Sequence, residues 1–216
     1  KPRTDWDNTY VPHGINHTVF MPMDALHKNY DKLKKYKQHA FGNKQYDFVV
    51  FWNNRNIRRK LPGDVIMAFK TFCDMLPKDK SKKCALVMHT QPIDDNGTDL
   101  PAVVKELCPD YDVIFSNEKL DNDQMCWMYN IADVTINIAS NEGFGLGTCE
   151  ALMCGTPISV TVTGGLQDQV GFKYKDKLLT YEDYSWIHSL HDEKKWKDNE
   201  DLTWGDWCKP VWPSNR

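Results

Sequence analysis

Residues 134–162 read VTINIASNEGFGLGTCEALMCGTPISVTV and contain the clearest structural pattern in the chain. Apolar runs at 134–138 and 158–162 begin and end the stretch, and short runs of this kind are typical of strands buried in a parallel sheet. Between them, a glycine-rich turn leads into a helix that we expect to end at Gly155, because Pro157 follows as a stop signal. The stretch therefore predicts a strand, a helix and a second strand.

The same alternation of strands and helices extends toward the N-terminus. We predict further strands at 47–52, 84–88 and 113–115. Thr98 is expected to cap one helix, and Asp121 with Gln124 forms the pattern of a capping box at the start of the next. Repeated strand–helix–strand units favour an α/β fold, namely a Rossmann-like parallel sheet with helices on both faces.

Ligands of such sheets bind at the carboxyl ends of the strands, which directs attention to the loop at 139–148. Glu142 and Glu150 are separated there by seven residues around the glycine-rich turn. The glycines allow backbone N–H groups to approach a ligand, and the helix N-terminus favours phosphate. Glu150 is placed to hold the two hydroxyls of a ribose, and Glu142 to hold sugar hydroxyls. The pattern predicts a nucleotide-sugar site.

A basic loop, residues 53–60, follows the first predicted strand at the same edge of the sheet. Taken alone, it is best interpreted as a solvated surface loop. Beside an anion-binding helix we favour phosphate contacts from Arg55 and Lys60, which together would neutralise a diphosphate leaving group without a metal. Arg58 and Arg59 are left as neighbours of those contacts.

The composition excludes several other classes of function. The 216 residues include 27 Lys+Arg against 30 Asp+Glu, a formal net charge of −3, which argues against a protein that binds duplex nucleic acid. No apolar run approaches the ~20 residues of a transmembrane helix. Seven cysteines without a C-x-x-C pair favour free thiols in a reducing compartment. We therefore expect a cytoplasmic protein, or a viral protein in the cytoplasm of its host.

The two ends of the chain differ in composition from the middle. Residues 1–45 are predicted to be an interdomain connection with a short helix, and residues 46–170 a Rossmann-like nucleotide-sugar-binding domain. Residues 171–216 are rich in tryptophan and in charge. We predict there a flap, helical at most in part, whose aromatic side chains pack on the sheet domain or on a partner. Because the chain begins with Lys1 rather than Met, we expect it to be part of a longer protein.

The segment from Glu142 to Glu150, with residues 151–158 after it, resembles the E-x7-E motif of the retaining glycosyltransferases of family 4. This resemblance implies a GT-B fold, in which two Rossmann-like domains face each other across a cleft. It also implies transfer of a sugar from a nucleoside diphosphate sugar with retention of configuration. No metal ion or other cofactor is required in that family.

Two further stretches share the resemblance. Asn54-Arg55 with Lys60 resembles the G-R-x4-K diphosphate clamp of that family, with Asn54 at the position of the usual glycine. Residues 10–16 resemble the crossover from the first domain to the second. The resemblance therefore covers residues 10–170 and identifies them with the C-terminal, donor-binding half.

The resemblance also implies roles for individual residues. Glu150 would hold the ribose and Glu142 the transferred sugar, while Arg55 and Lys60 would stabilise the leaving diphosphate. The turn would contribute further contacts, to the sugar from the backbone of Gly143, Phe144 and Gly145, and to the phosphates from Leu146, Gly147 and Thr148. The base would be bordered by Phe115, Ser116 and Leu120.

The acceptor-binding, N-terminal half of these enzymes has no counterpart in the chain. We therefore expect the chain to bind a donor but to transfer poorly alone, with a glycan or another acceptor bound by that missing domain. Two alternatives stay open: a non-catalytic nucleotide-sugar-binding module, and a fragment of a GT-B epimerase or phosphorylase. A nicotinamide-binding domain is disfavoured, because no G-x-G-x-x-G follows the first strand.

Overall fold

The structure, a computed structural model, describes residues 13–180, residue 183 and residues 199–213. The strands within these residues are β1 (Phe48–Asn53), β2 (Cys84–His89), β3 (Asp112–Ser116), β4 (Val134–Asn137), β5 (Ile158–Thr161), β6 (Lys173–Tyr174), β7 (Lys177–Leu178), β8 (Leu202–Thr203) and β9 (Cys208–Val211). The helices are α1 (Tyr30–Phe41), α2 (Pro62–Asp74), α3 (Lys78–Ser81), α4 (Leu100–Leu107), α5 (Asn122–Ile131), α6 (Leu146–Met153) and α7 (Leu166–Val170), with a 3-10 helix at Arg58–Lys60.

Six parallel strands form the main sheet, in the spatial order β3-β2-β1-β4-β5-β9. The chain order reverses at β1, because β2 lies on one side of that strand and β4 on the other. Such a reversal leaves a crevice at the carboxyl ends of the two central strands, where open α/β sheets bind ligands. The α/β class and the five strands predicted from the sequence are confirmed.

Helices cover both faces of this sheet, and β1 shows why its sequence is apolar throughout. Phe51 and Trp52 are consecutive, so their side chains point to opposite faces, and neither is exposed to solvent. Phe51 packs in a cluster with residues of α1, α5, α6 and α7, whereas Trp52 packs in a second cluster with residues of α2 and α4. The continuous apolar run therefore reflects burial on both sides.

Two helix starts test the sequence predictions at the level of single residues. The capping box is confirmed, because Gln124 N donates to Asp121 Oδ1 at 2.8 Å and Asp121 N donates to Gln124 Oε1 at 2.9 Å. The prediction that Thr98 caps α4 is wrong, because the carboxylate of Asp99 accepts the bond from the first turn at 3.0 Å. Thr98 is instead held by Asn56, whose Nδ2 donates to Thr98 O at 2.7 Å.

The sixth strand comes from the tryptophan-rich tail. β9 pairs in parallel with β5 at the edge of the main sheet, where Pro210 is tolerated because one side of the strand needs no partner. The short strands β6, β7 and β8 form a separate antiparallel sheet. The described residues of the tail thus form short strands, one of which the sequence did not predict. The strand was missed because four residues that include a proline make no apolar run.

Aromatic side chains join the described part of the tail to the core. Trp204 and Trp212 lie against Phe172, with ring centroids 6.4 and 5.8 Å away. Trp207 Nε1 donates to Gln169 O at 3.0 Å. Residues 10–12 of the predicted crossover lie outside the described residues, and so do four aromatic residues of the predicted flap, Tyr181, Tyr184, Trp186 and Trp196.

Two further features concern the cysteines and the lengths of the helices. None of the seven cysteines forms a disulfide, as predicted, and all but Cys149 are buried. Within the residues that the structure describes, every helix is too short or too polar to cross a membrane.

Candidate functional site

A cavity of about 280 Å³ lies at the carboxyl ends of β1 and β4, where the strand order reverses. We call this cavity the cleft. Many of its lining residues were predicted from the sequence: Lys60, Glu142, Phe144, Gly145, Leu146, Gly147 and Thr148. The structure thus brings together the end of the basic loop and the glycine-rich turn.

An ion pair between Lys60 and Glu142 forms part of the wall of the cleft. Both side chains are largely removed from water, with exposed fractions of 8% for Lys60 and 13% for Glu142. Burial alone would raise the pKa of Glu142, but hydrogen bonds from Lys60 and Asn137 outweigh it, so the pKa lies below its ordinary value. Arg59 is a second cation near this carboxylate, with Nη1 3.9 Å from Glu142 Oε2. Glu142 is therefore ionised at neutral pH, and Lys60 is its counterion.

The turn before α6 adopts a conformation that requires glycine. Gly145 has a φ of +84°, and a Cβ there would lie 2.5 Å from Leu166 Cδ2. Thr148 Oγ1 donates to Gly145 O at 2.9 Å, and Gln169 Nε2 donates to Phe144 O at 2.7 Å. The first amides of α6 have no partner within the helix, and such groups favour an anion. The cleft therefore combines helix amides with a buried ammonium group.

The loop after β5 supports this turn through close backbone contacts. Gly165 N donates to Gly143 O at 2.7 Å. A Cβ on Gly164 would lie 1.8 Å from Glu142 O, and one on Gly165 would lie 2.3 Å from Gly143 O. Only glycine allows two backbones to approach so closely. The two glycines after β5 therefore help to set the position of Glu142.

Glu150 lies one turn further along α6 and is connected to the cleft through two side chains. Tyr129 Oη donates to Glu150 Oε2 at 2.7 Å, and Asn53 Nδ2 donates to Tyr129 Oη at 2.8 Å. Asn53 in turn lines the cleft. Burial raises the pKa of Glu150, and the hydrogen bond from Tyr129 lowers it in part. The two carboxylates of the motif thus differ, since Glu142 pairs with a cation and Glu150 with a neutral phenol.

The structure does not bring Arg55 into the cleft. Its side chain is 63% exposed and binds Asp94 through two hydrogen bonds, Nε to Oδ2 at 2.9 Å and Nη2 to Oδ1 at 3.2 Å. The loop takes this course because Asn56, which is fully buried, bonds to the segment that precedes α4. Asp94 has a side chain only 11% exposed beneath the guanidinium.

The three residues predicted to border a base, Phe115, Ser116 and Leu120, line a different cavity. It has a volume of about 570 Å³ and lies between α1 and α5. Tyr36 and Trp127 contribute to its wall, with ring centroids 5.3 Å apart. The structure therefore places the predicted base contacts apart from the predicted sugar and phosphate contacts.

Sequence reasoning missed the polar side chains that the strands contribute to the cleft. Thr135 and Asn137 alternate with apolar residues in β4 and are buried, and Asn53 ends β1. Polar residues at every second position of an apolar run share one face of a sheet, and that pattern could have marked them. His13, which had no assigned role, also lines the cleft, with its ring centroid 5.0 Å from that of Phe144.

Comparison with known proteins bears on the family of the chain. Residues 104–200 match the profile of the family described as glycosyl transferases group 1. These residues are therefore similar to the group 1 glycosyltransferases. The resemblance inferred from the E-x7-E motif is thereby confirmed. No protein of curated function matches the chain.

Solved structures share the fold of this chain. The C-terminal domain of a glycosyl transferase group 1 family protein from Francisella tularensis matches with a TM-score of 0.56 and 19% identity, over 84% of this chain and 88% of that one. HepE from Anabaena, solved with UDP and glucose, matches with a TM-score of 0.57 and 16% identity, over 84% and 47%. Sucrose-phosphate synthase from Thermosynechococcus elongatus matches with a TM-score of 0.55 and 20% identity, over 85% and 42%. The chain thus spans less than half of the two longer proteins, and its fold is that of a GT-B C-terminal domain.

Proposed function

We propose that this chain is the donor-binding half of a glycosyltransferase that transfers a sugar, such as a hexose, from a nucleoside diphosphate sugar with retention of configuration. The observation that carries the proposal is the ion pair between Lys60 and Glu142, buried beside the first amides of α6. One site thus offers a cation and helix amides to phosphate and a carboxylate to sugar hydroxyls. HepE, which shares the fold, was solved with UDP and glucose, and this supports the proposal.

Binding of the donor would change the partners of the ion pair. In the free protein the Lys60 ammonium neutralises Glu142. A diphosphate carries more negative charge than a carboxylate, so we expect Lys60 to bond to phosphate oxygens when the donor is present. Glu142 then accepts hydrogen bonds from sugar hydroxyls instead. The ion pair therefore keeps both groups ionised and in place before the donor arrives.

The transfer step is proposed to be a front-face attack. The bond between the anomeric carbon and the diphosphate oxygen breaks, and the acceptor oxygen bonds to the same face of the sugar. The acceptor proton passes to the leaving phosphate. Lys60 and the amides of α6 stabilise the charge that develops on the diphosphate. This proposal needs no metal ion, and it assigns the glycan or other acceptor to a further domain.

Arg55 has a smaller place in this proposal than the resemblance implies. Its guanidinium would reach a phosphate only after leaving Asp94, to which it is bonded twice. Lys60 already lies in the cleft and needs no such rearrangement. We therefore assign the main contact with the leaving diphosphate to Lys60.

The nucleoside is assigned to the part of the domain nearer α5. Glu150 would hold the ribose hydroxyls, because it is ionisable and lies one turn beyond the amides that receive the phosphates. The base would extend toward Phe115, Ser116 and Leu120 in the second cavity. This assignment places the base and the transferred sugar on opposite sides of the diphosphate.

We also propose how the ends of the chain and its surroundings relate to this function. Residues 1–45 would connect the donor domain to an acceptor domain, and residues 171–216 would form a flap that adds β9 to the sheet. The seven cysteines without a disulfide suit a reducing compartment, such as the cytoplasm of a cell or of a viral host.

Thermal unfolding in the presence of UDP, GDP and ADP, and of their glucose conjugates, tests the proposal. A ligand at ~100 times its dissociation constant adds about 2.7 kcal/mol of stability. For a chain of this size the midpoint should rise by roughly 5–10 °C with one nucleotide. The rise should be lost in Lys60→Met and kept in the control Lys82→Met, whose lysine is exposed. A folded wild-type protein that responds to none of these ligands would contradict the proposal.

A further inference from the structure

Three side chains from three different elements form a chain of hydrogen bonds against the first turn of α6. Asn53 ends β1, Tyr129 lies on α5 and Glu150 lies on α6. Asn53 Nδ2 donates to Tyr129 Oη at 2.8 Å, and Tyr129 Oη donates to Glu150 Oε2 at 2.7 Å. We propose that Asn53 and Tyr129 are positioning residues, which hold Glu150 in the orientation that binds the ribose of the donor. This inference rests on the proposed function, which gives Glu150 its ligand. We call the three residues the relay.

The direction of the relay follows from what each group can donate. A phenol has one hydroxyl hydrogen to donate, and an ionised carboxylate has none. Tyr129 therefore donates to Glu150 and accepts from Asn53. Burial, together with the neighbouring Glu150 carboxylate, raises the pKa of Tyr129 well above its ordinary value. The phenol therefore keeps its hydrogen at neutral pH, and the bond to Glu150 persists.

The surroundings of Tyr129 leave it no second position. The side chain is completely buried, and its ring lies edge-on to Phe51 and Phe20, with centroids 5.4 and 6.1 Å away. Glu150 Oε2 is therefore held at one place. No residue that the structure describes bonds to Glu150 Oε1. In this proposal that oxygen accepts the hydrogen bond from a ribose hydroxyl.

The relay also contacts the residues assigned to phosphate. A Cβ on Gly147 would lie 3.2 Å from Tyr129 Oη and 3.4 Å from Asn53 Nδ2, so this glycine allows α6 to lie directly on the relay. Asn53 and Gly147 both line the cleft. The ribose and the diphosphate belong to the same donor molecule and must bind at the same time. The relay therefore sets the distance between the carboxylate for the ribose and the amides for the phosphates.

A positioning role predicts a change in selectivity for the ribose hydroxyls rather than a general loss of binding. Isothermal titration calorimetry of the wild-type protein and of Tyr129→Phe should compare UDP, GDP and ADP with their 2′-deoxy forms. We expect the wild-type protein to prefer the ribonucleotide by about tenfold, as for a hydrogen bond to a charged group. In Tyr129→Phe the preference should fall to about threefold or less, because Glu150 is no longer fixed.

Three variants control this measurement. Tyr111→Phe removes a bond of the same kind, from Tyr111 Oη to Asp74 Oδ1 at 2.7 Å, on the other face of the sheet, and should leave the preference unchanged. Asn53→Ala should lower the preference in the same direction as Tyr129→Phe. Adding Tyr129→Phe to Glu150→Gln should change the preference no further, because Tyr129 acts through Glu150.

The possible results separate the relay from the proposed function. A wild-type protein that binds no nucleotide overturns the proposed function and the relay together. A wild-type protein that binds but shows no preference for ribose, or a Tyr129→Phe that keeps the preference, overturns the relay alone. So does a Tyr129→Phe that weakens both forms equally, because that is the effect of a merely structural residue.

Titration of Glu150, followed by carboxyl ¹³C NMR, gives a second measure that needs no nucleotide. The hydrogen bond from Tyr129 lowers the pKa of Glu150, against the effect of burial. The pKa of Glu150 should therefore be higher in Tyr129→Phe than in the wild-type protein. An unchanged pKa would show that Tyr129 does not hold the carboxylate, and it would overturn the relay.

Discussion

The loop after β4 and the loop after β1 meet at the same edge of the sheet, but they are held in different ways. The turn after β4 is rich in glycine, and backbone contacts and short side chains determine its shape. The loop after β1 carries long cationic side chains, and partners distant in sequence determine where they point. Lys60 pairs with Glu142 in the cleft, whereas Arg55 pairs with Asp94 outside it. Backbone geometry can thus be inferred locally, while the destination of a long side chain depends on the tertiary fold.

The largest effect is expected where the backbone of the turn is most tightly constrained. In Gly164→Ala, a left-handed φ of +47° would have to hold a side chain, and the new Cβ would lie 1.8 Å from Glu142 O. We expect the free energy of unfolding to fall by about 3 kcal/mol, from backbone strain and overpacking, with loss of nucleotide binding. Chemical denaturation and calorimetry measure the two effects.

Gly63→Ala is the matched control for that substitution. A Cβ on Gly63 has nothing within 4 Å, and the residue lies in the first turn of α2. Its stability should stay unchanged or rise by up to about 1 kcal/mol. Equal losses in the two variants would mean that the turn after β4 is not specially constrained.

The next effect concerns the ion pair that joins the two loops. Lys60→Met removes the counterion of a carboxylate that is only 13% exposed, so we expect unfolding to become easier by about 2 kcal/mol. Urea denaturation measures this change. Adding Glu142→Gln should restore part of the lost stability, because the uncompensated charge is then removed. If the two changes simply add, the residues do not interact as described.

A smaller effect is expected in the pH dependence of stability. The pKa of Glu142 in the folded protein lies below its ordinary value of 4.5. A carboxyl group of this kind stabilises the fold above its unfolded-state pKa, and that contribution is lost as the pH falls through its folded-state pKa. The wild-type protein should therefore exceed Glu142→Gln in stability at neutral pH, and the difference should shrink below pH 4.5. A difference that stays constant in denaturation curves from neutral to acidic pH would argue against a lowered pKa.

The smallest effect is expected for the cation that lies outside the cleft. Arg55→Ala removes an ion pair whose guanidinium side is 63% exposed, so stability should stay close to that of the wild-type protein. The dissociation constant for the nucleotide, measured by calorimetry, should stay within about twofold of the wild-type value. A clear loss of affinity would mean that Arg55 leaves Asp94 to bind phosphate, as the family resemblance implies.

Much of the fold was predictable because it depends on short, local patterns. The five apolar runs became strands, and the capping box at Asp121 formed as its spacing requires. β9 was missed because Pro210 interrupts any apolar pattern, and its pairing with β5 depends on contacts distant in sequence. Thr98 failed as a cap because Asn56 holds it from another loop.

Some parts of the candidate site were likewise predictable from local sequence, and others were not. The two glutamates and the turn between them were found from spacing and from the glycines, which the observed φ of +84° at Gly145 requires. Tyr129 was not found, because a tyrosine in an apolar helix pattern gives no indication that its hydroxyl bonds to Glu150. The second cavity was not anticipated either, since it depends on the packing of α1 beside α5.

The most direct test is calorimetric binding of the nucleotide that stabilises the wild-type protein, measured in parallel for Lys60→Met and Arg55→Met. We predict that Lys60→Met weakens binding by about tenfold or more, as for loss of a charge-assisted bond to phosphate. Arg55→Met should remain within about twofold of the wild-type protein. Wild-type affinity in Lys60→Met, or a large loss confined to Arg55→Met, would contradict the assignment of the donor diphosphate to the cleft.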